Sequence, residues 1–519
     1  MLLVSAEEMR TLDRLTIERY GTPGHVLMER AGVGATRVLL DLFPFMRRRG
    51  RRALICAGKG NNGGDGFVMA RELRRHGVRT EVVLLGRAQD VGGDAVRNLR
   101  AYQRGRGKIC EVTEPAELGR LADRLAEADI VVDAIFGTGL NNVVGGLHAE
   151  AIELINASGV PVFAVDIPSG LHADTGHPLG TAIQAEATAT FGFAKLGQVQ
   201  FPGASLVGTL AVVDIGLASE AIAAHPPSGE LLEVEQVACY IPDRRADAHK
   251  GDCGHVLVIA GSFGKTGAPQ LASRAAARVG AGLVTVVGPA SLYLVYAAGV
   301  LEAMTEVLPD QDGRIRFDEG ALKRLVKDKT AVVIGPGIGT HDEALDVVGW
   351  LLTHAGAPLV LDADALTCIA RDPSALQAAA VPTILTPHPG EMARLLGTNT
   401  SEIQADRIGA ARRVAALHRC TLVLKGARTI IADGRQVWVN STGNPGMASG
   451  GMGDVLSGIL GGLLAQGLAP SEAARLGVYL HGAVADQAAA AGGEIGLVAS
   501  DVIAGLPGGL RTLRGCLDV

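Results

Sequence analysis

The sequence predicts an α/β protein with mainly parallel sheets, divided into two domains. Short apolar runs of strand length alternate with amphipathic segments of helix length along most of the chain, as is typical of this class. The 519 residues exceed what a single hydrophobic core usually supports. Glycine is abundant, at 70 residues, which suits many tight turns between strands and helices. We expect a doubly wound domain over residues 1–220 and a second α/β domain over residues 236–519.

The first domain is predicted to begin with a helix, because Ser5 and Glu8 form a capping-box pattern. Strand-like runs then recur with amphipathic segments between most of them. The alternation lapses from 218 to 235, where Pro226-Pro227 and Ser228-Gly229 break both helical and strand periodicity. We therefore predict a linker at 221–235, with the boundary near 228. The predicted strands of this domain lie at 53–57, 81–85, 130–135, 160–165 and 210–215.

A second alternation of strands and helices begins at residue 254 and continues to the end of the chain. The two halves share the strand, glycine-rich loop, helix style, but they have no fixed period and are not predicted to be repeats. The predicted strands of this half lie at 254–260, 283–287, 331–334, 359–361, 383–385 and 421–424.

Composition argues against several classes of protein. The net charge of −6 and the short basic run at 47–52, more typical of a solvated turn, give no reason to expect nucleic-acid binding. Seven cysteines without a C-x-x-C pair indicate free thiols in a reducing compartment. The N-terminus becomes acidic too early for a signal peptide, and polar residues, glycine or proline interrupt the apolar stretches. We expect a cytoplasmic protein with no nucleic-acid or membrane partner.

A glycine-rich segment follows the first predicted strand and contains Asn61-Asn62-Gly63-Gly64-Asp65-Gly66. We expect a loop here and a helix over 67–76. The spacing departs from G-x-G-x-x-G, and the amide and carboxylate side chains can bond a ribose or an amide, or ligate a hard cation. An ordinary tight turn is the alternative, but the density of polar side chains favours a ligand site.

Two further strand ends carry polar residues. Asp133 lies inside an apolar run that ends in Gly137-Thr138-Gly139, and Asp166 and Ser169 follow the next strand. Ligands bind at the carboxyl ends of strands in open α/β sheets, so these side chains should converge with Asn62 on one crevice. Asp133 could alternatively be a paired carboxylate of the core.

These three motifs together resemble NAD(P)H-hydrate epimerase, which implies a Rossmann-like first domain. The resemblance implies that Asp166 is the acid/base group for inversion of the hydroxyl-bearing carbon. It also implies that K⁺ is held by Asn62, Asp133 and Ser169. The hydrated nicotinamide nucleotide would be contacted by Asn61, Asn62, Gly63, Gly64 and Asp65, and by Gly137, Thr138, Gly139, Leu140, Asn141, Asn142 and Val143.

The second half contains a glycine-dense loop at 444–454 that ends in Gly453-Asp454 before an apolar helix pattern. Backbone N–H groups and the helix dipole at such a place favour phosphate. Asp454 would be the one negative group in a site suited to negative charge, which favours a general base. Gly264-Lys265-Thr266 is not part of a Walker A loop, because the first position of that motif would fall on Ile259.

Other motifs of this half also follow predicted strands. Asp362 and Asp364 are candidate site carboxylates, and helix N-capping by at least one of them is the alternative. Lys425 follows a strand directly, and an exposed turn lysine is the less specific interpretation. The stretch from His388 to Glu391 lacks the Asn of the Asn-x-x-Glu motif of sugar kinases, although Glu391 could support Mg²⁺ through water.

These motifs resemble the ribokinase-like fold and, within it, ADP- or ATP-dependent NAD(P)H-hydrate dehydratase. The resemblance implies that Asp454 deprotonates the ring hydroxyl, with Ala268, Gly337 and His388 on the same substrate. It implies a bifunctional repair enzyme that uses ADP, or ATP, together with K⁺ and Mg²⁺. We also expect a homo-oligomer. The alternative is a small-molecule kinase fused to a nucleotide-binding module. The adenine nucleotide would be contacted by Lys425, Gly426, Ala427, Arg428, Thr429 and Gly453.

Overall fold

A computed structural model describes residues 1–516. The chain forms two compact units, residues 1–229 and the residues from 230 onward. The last three residues of the predicted 236–519 domain lie outside the described part. Both units contain mainly parallel strands that alternate with helices, which confirms the predicted α/β class.

The first unit contains a seven-stranded parallel sheet and a separate short parallel pair. Its strands are β1 (Leu2–Val4), β2 (Arg52–Ala57), β3 (Arg79–Leu85), β4 (Lys108–Val112), β5 (Ile130–Ala134), β6 (Val162–Val165), β7 (Ala187–Phe191), β8 (Ala194–Lys195) and β9 (Thr209–Val213). The short pair joins β1 to β8, and the large sheet has the order β4-β3-β2-β5-β6-β7-β9. The strand order reverses between β2 and β5, which opens a crevice at their carboxyl ends.

Helices cover both faces of this sheet and bury two apolar layers, because parallel strands are apolar on both sides. The first helix begins with the predicted capping box between Ser5 and Glu8. The helices are α1 (Ala6–Glu18), α2 (Gly24–Leu42), α3 (Asn61–Arg75), α4 (Gly93–Arg104), α5 (Gly119–Leu125), α6 (Gly146–Ala157), α7 (Gly203–Leu206) and α8 (Ser219–Ala224).

Helix α3 begins six residues before the predicted start at residue 67, so the segment predicted as a loop forms its first turns. Glycine disfavours helix, which is why the sequence pointed to a loop. Close packing explains the difference. A Cβ at Gly63 would lie 2.0 Å from the Gly58 carbonyl oxygen, and one at Gly66 would lie 2.6 Å from the Ala134 side chain.

The second unit has a parallel sheet that is extended at one edge by antiparallel strands. The predicted linker at 221–235 contains the end of α8, the strand β10 (Gly229–Leu231) and the start of helix α9 (Val234–Ala238). The other strands are β11 (His255–Ile259), β12 (Leu283–Pro289), β13 (Met304–Leu308), β14 (Asp310–Gln311), β15 (Arg314–Ile315), β16 (Ala331–Ile334), β17 (Leu359–Leu361), β18 (Thr383–Leu385), β19 (Thr421–Leu424), β20 (Ile430–Ala432) and β21 (Val437–Val439). The parallel order is β13-β12-β11-β16-β17-β18-β19, followed by antiparallel β20 and β21.

The helices of this unit include one whose glycine-rich start lies at the site predicted to bind phosphate. The helices are α10 (Gly267–Arg278), α11 (Tyr293–Gly299), α12 (Glu319–Val326), α13 (Asp342–His354), α14 (Asp364–Ile369), α15 (Pro389–Leu396), α16 (Thr400–Ala405), α17 (Arg407–His418), α18 (Met452–Ala465), α19 (Pro470–Gly492) and α20 (Ala499–Gly515). A Cβ at Gly458 would lie 2.0 Å from the Ala272 carbonyl oxygen, so α18 packs closely on α10. No helix among residues 1–516 is long and apolar enough to span a bilayer.

Candidate active sites

The crevice of the first unit is a cavity of about 740 Å³ at the carboxyl ends of β2 and β5. Its volume suits a nucleotide-sized ligand. Asn141, Asn142 and Val143 are exposed and lie outside its lining, while Gly63 and Gly64 are buried within α3. The predicted residues that line the cavity are Asn61, Asn62, Asp65, Gly137, Thr138, Gly139, Leu140 and Asp166.

Asp166 lies on this cavity and is paired with a lysine that the sequence reading missed. Lys195 is fully buried, and its Nζ donates to Asp166 Oδ1 at 2.6 Å, to Thr190 Oγ1 at 2.8 Å and to the Phe191 carbonyl at 3.1 Å. Asp166 adopts a left-handed backbone with φ 64°, and Gln198 Nε2 donates to its carbonyl oxygen at 2.7 Å. These contacts hold one carboxylate oxygen and leave the group aimed at the cavity.

Two more carboxyl groups line the same cavity. Burial raises the pKa of Asp13 to about 6, Lys195 acting against the shift and Asp166 adding to it. Burial, reinforced by the neighbouring Asp166, raises the pKa of Asp65 well above its usual range. The cavity therefore holds buried carboxyl groups whose pKa values are raised, as is common in sites of proton transfer.

The three residues predicted to hold K⁺ lie together, and Asn62 is part of the cavity lining. Ser169 donates from Oγ to Asp133 Oδ1 at 2.6 Å and from its backbone N–H to Oδ2 at 2.7 Å. Asn62 Nδ2 donates to the Phe136 carbonyl at 2.7 Å, while the buried Asn62 Oδ1 has no hydrogen-bond partner among the described residues. Burial raises the pKa of Asp133 to about 6. A buried carboxylate and an unpartnered amide oxygen form a donor set that fits a hard cation.

In the second unit, Asp454 lies in the first turn of α18, behind Gly451 with φ 88°. Burial and the nearby Asp362 raise the pKa of Asp454 to about 6, against the opposing effect of Lys425. A half-buried carboxylate with this pKa at a helix start is ionised at neutral pH and available as a base.

Asp362 is the buried centre of this site and does not cap a helix. Lys425 Nζ donates to Asp362 Oδ1 at 2.6 Å, and Thr386 Oγ1 donates to the same oxygen at 2.7 Å. Ser457 Oγ donates to Asp362 Oδ2 at 2.5 Å. Lys425 is thus an ion-paired lysine, and the exposed-turn interpretation is wrong.

Asp364 does not cap a helix either, since the N-cap position of α14 is Ala363 and no side chain caps there. Its Oδ2 accepts from the Gly339 N–H at 2.9 Å and from Lys265 Nζ at 2.9 Å. The capping alternative fails because both carboxylates face cations and donors that are distant in sequence.

The remaining predicted residues of this unit occupy neighbouring loop ends. His388 caps α15 by accepting from Gly390 N–H at 3.0 Å, and burial lowers its pKa. Burial also raises the pKa of Glu391 to about 7. Gly337 accepts a bond from Ser262 Oγ at 2.7 Å, and Ala268 is the second residue of α10.

In the segment predicted for the adenine nucleotide, two residues have positive φ, Gly426 at 135° and Arg428 at 54°. Thr429 Oγ1 donates to the Gly426 carbonyl at 2.9 Å, which closes the turn. Gly453 lies beside this segment, since a Cβ there would be 3.4 Å from Lys425 Nζ. The turn and the start of α18 therefore adjoin.

Sequence reading missed Lys195, Asp13, Thr386 and Ser457. Only Lys195 carried a signal, because it is a lone lysine in the apolar stretch from Phe191 to Leu196. A lysine in such a stretch is rarely buried without a partner. The other three have common side chains whose position only tertiary structure reveals.

Two family models cover most of the chain. Residues 24–197 match the YjeF-related protein N-terminus, and residues 256–507 match NAD(P)H-hydrate dehydratase. A solved ADP/ATP-dependent NAD(P)H-hydrate dehydratase from Bacillus subtilis is 32% identical and covers 55% of this chain and 98% of its own, with a TM-score of 0.48. The chain is therefore an enzyme made of two fused α/β domains, one for each family model.

Full-length relatives identify the family. A Moorella thermoacetica protein named bifunctional NAD(P)H-hydrate repair enzyme is 46% identical over 99% of this chain and 97% of its own. A Coxiella burnetii protein of the same name is 40% identical over 96% and 98%. The chain belongs to the bifunctional NAD(P)H-hydrate repair enzymes. These relatives and the two family models confirm the resemblance drawn from the motifs and the predicted enzyme class.

Proposed function

We propose that the first unit epimerises the R and S forms of hydrated NADH and NADPH, and that the second unit dehydrates the S form with ADP as co-substrate. The epimerase domain would comprise residues 1–220 and the dehydratase domain residues 236–519. Two observations carry the proposal. Asp166 lines the cavity at the carboxyl ends of the strands of the first unit, and Asp454 lies near Asp362 and Lys425, which directly follow strands of the second unit.

In the first unit, Asp166 acts as the acid/base group for inversion of the hydroxyl-bearing carbon of the hydrated nicotinamide ring. Lys195 holds one oxygen of the Asp166 carboxylate at 2.6 Å and leaves the other for substrate. Burial raises the pKa values of Asp13 and Asp65 in the same cavity, which supports a site that both accepts and returns protons. The α3 start and the 137–143 turn bind the nucleotide.

K⁺ is proposed to bind Asn62 Oδ1, Asp133 and Ser169. When bound, the ion would offset the charge of the buried Asp133 carboxylate. The unpartnered Asn62 Oδ1 supports this assignment, since a buried amide oxygen without a donor is costly.

In the second unit, Asp454 takes the proton of the ring hydroxyl, whose oxygen attacks the terminal phosphorus of ADP. The bond to the bridging oxygen breaks and releases AMP. The phosphorylated hydroxyl then leaves as inorganic phosphate while the ring loses a proton, which restores the dihydronicotinamide double bond. Backbone N–H groups at 451–453 offset charge on the transferring phosphoryl group.

The adenine nucleotide is proposed to contact Lys425, Gly426, Ala427, Arg428, Thr429 and Gly453. Ala268, Gly337 and His388 contact the hydrated nicotinamide nucleotide. Mg²⁺ would neutralise phosphate charge, and Glu391 beside Lys425 would support it through water. The proposal also includes a cytoplasmic location, which the seven free cysteines support, and a homo-oligomeric state.

The dehydratase reaction is tested with the full chain, hydrated NADH and ADP. We expect the absorbance of reduced nicotinamide to return together with inorganic phosphate. A stable phosphorylated product without regained absorbance would instead indicate a small-molecule kinase. Asp454→Asn is the matched variant, because it keeps the shape of the side chain and removes the base.

The epimerase reaction is tested by supplying the R and S hydrates separately. Asp166→Asn should abolish consumption of the R form and leave consumption of the S form unchanged. Equal use of the R form by this variant would remove Asp166 from the catalytic role.

A further inference from the structure

The first unit has a second cavity at the amino ends of its strands, on the sheet edge opposite the epimerase crevice. Its volume is about 460 Å³, within the range of small-molecule sites. Ligands of open α/β sheets normally bind at the carboxyl edge, so this cavity belongs to neither proposed reaction. Its basic lining residues are Arg52, Arg74, Arg79, Arg106, Lys108 and Arg124.

Four of these six cations have no carboxylate partner among residues 1–516. The lining contains two carboxylates, and each is already paired. Glu81 accepts from Arg124 Nε at 2.7 Å, and Glu127 pairs with Arg52. Arg74 stacks over the Tyr102 ring with its guanidinium carbon 5.8 Å from the centroid. The cavity therefore carries a local excess of positive charge in a protein whose net charge is −6.

The register of the sheet brings the cations together. Arg52, Arg79 and Lys108 are the first residues of β2, β3 and β4, which are adjacent parallel strands. In the strand register, Arg52 is the cross-strand neighbour of Arg79, and Lys108 is the cross-strand neighbour of Glu81. Adjacent strands lie about 4.8 Å apart, and like charges at paired positions destabilise a sheet. An anion held between Arg52 and Arg79 would relieve the repulsion between these two like charges.

We propose that this cavity binds a multiply phosphorylated small molecule, such as a nucleoside polyphosphate. Four uncompensated cations match the charge of a di- or triphosphate chain, and guanidinium groups bind phosphate through paired hydrogen bonds. The Arg124–Glu81 pair forms a fixed wall of the cavity. The site is distinct from the crevice that contains Asp166.

A small molecule fits better than a nucleic acid. The cavity is concave and confined to one end of three strands, whereas single-stranded nucleic acid needs a longer groove with aromatic surfaces for base stacking. The one aromatic ring beside the cavity, Tyr102, is 1% exposed and already covered by Arg74.

Hydrogen exchange of the full chain, read by mass spectrometry with and without sodium tripolyphosphate, tests the proposal. At about 0.15 M salt and without Mg²⁺, exchange should slow at residues 77–81 and 106–110. The triple variant Arg79→Gln/Arg106→Gln/Lys108→Gln should bind tripolyphosphate at this site at least about tenfold more weakly. Its epimerase activity should be unchanged.

A matched control removes the same charge elsewhere on the unit, at three exposed arginines outside the cavity: Arg37→Gln/Arg97→Gln/Arg100→Gln. This control should keep affinity within about twofold of the parent chain. Three results would each overturn the proposal: no slowed exchange at these segments with roughly millimolar tripolyphosphate, equal weakening in both triple variants, or protection by an oligoribonucleotide alone. None of them bears on Asp166 or Asp454, so the proposed reactions are tested separately.

Discussion

Lys195→Met should destabilise the first unit strongly, because it leaves the Asp166 carboxylate without its cation. The two side chains are 1% and 13% exposed, so little solvent screens the loss. Removal of one partner of a buried ion pair costs about 3–5 kcal/mol. Thr190 Oγ1 and the Phe191 carbonyl also lose a donor, while methionine preserves the packing of the methylene stem. We expect the free energy of opening to fall by at least about 3 kcal/mol.

Hydrogen exchange of the β6 and β7 amides measures this loss, since exchange from a core strand reports the free energy of opening. The exchange rate should rise by roughly two orders of magnitude for about 3 kcal/mol. Lys108→Met is the control, because Lys108 is exposed and its replacement should change stability by less than about 0.5 kcal/mol.

The double variant Lys195→Met/Asp166→Asn separates charge from packing. Because the introduced asparagine amide carries no charge, the double variant should lose less stability than the sum of the two single changes, by at least about 1 kcal/mol. Strict additivity, or a loss below about 1 kcal/mol in Lys195→Met alone, would refute the view that the ion pair stabilises this site.

Three other predictions concern Asp454, Asp133 and Ser457. Dehydratase turnover should rise with pH through about 6, because Asp454 acts only when ionised; a rate independent of pH between about 5 and 7.5 would contradict this. K⁺ should raise the thermal stability of the first unit more at about pH 8 than at about pH 5. The pKa of Asp133 in the folded protein is raised to about 6, so the protein loses stability as pH rises and Asp133 ionises. The bound cation offsets that loss. Tetramethylammonium chloride is the control. Ser457→Ala should lower the free energy of unfolding by about 1–3 kcal/mol, because the buried Asp362 carboxylate loses a hydrogen-bond donor at 2.5 Å. Urea unfolding measures this loss. Ser441→Ala, which removes a hydrogen bond to a backbone carbonyl, is the comparison.

Strand positions followed well from the sequence because apolar runs in parallel sheets are buried on both faces. The predicted bounds at 331–334, 359–361, 383–385 and 421–424 coincide with β16, β17, β18 and β19. The start of α3 was misplaced because helix propensity ranks glycine low, while close backbone approach at Gly63 requires it. The tertiary contact at Gly63 therefore outweighs the low helix propensity of glycine.

The candidate site was predictable where residues lie at strand ends and less so where partners come from elsewhere. Asn62, Asp133 and Ser169 each follow or end a strand, so topology alone brought them together. The interpretation of Asp362 as a possible cap failed because its partner Lys425 is 63 residues away. No local pattern encodes such a pairing.

The contacts of Asp362 also have a consequence for the order in which the second unit acquires its site. Its three side-chain partners, Thr386, Lys425 and Ser457, are 24, 63 and 95 residues further along the chain. Each bond therefore closes a successively longer loop, and the entropy lost in closure must be offset by contacts made afterwards. Secondary structure can form throughout this unit while the carboxylate is still unpaired. We therefore expect the candidate site around Asp362 to be among the last parts of the unit to assemble.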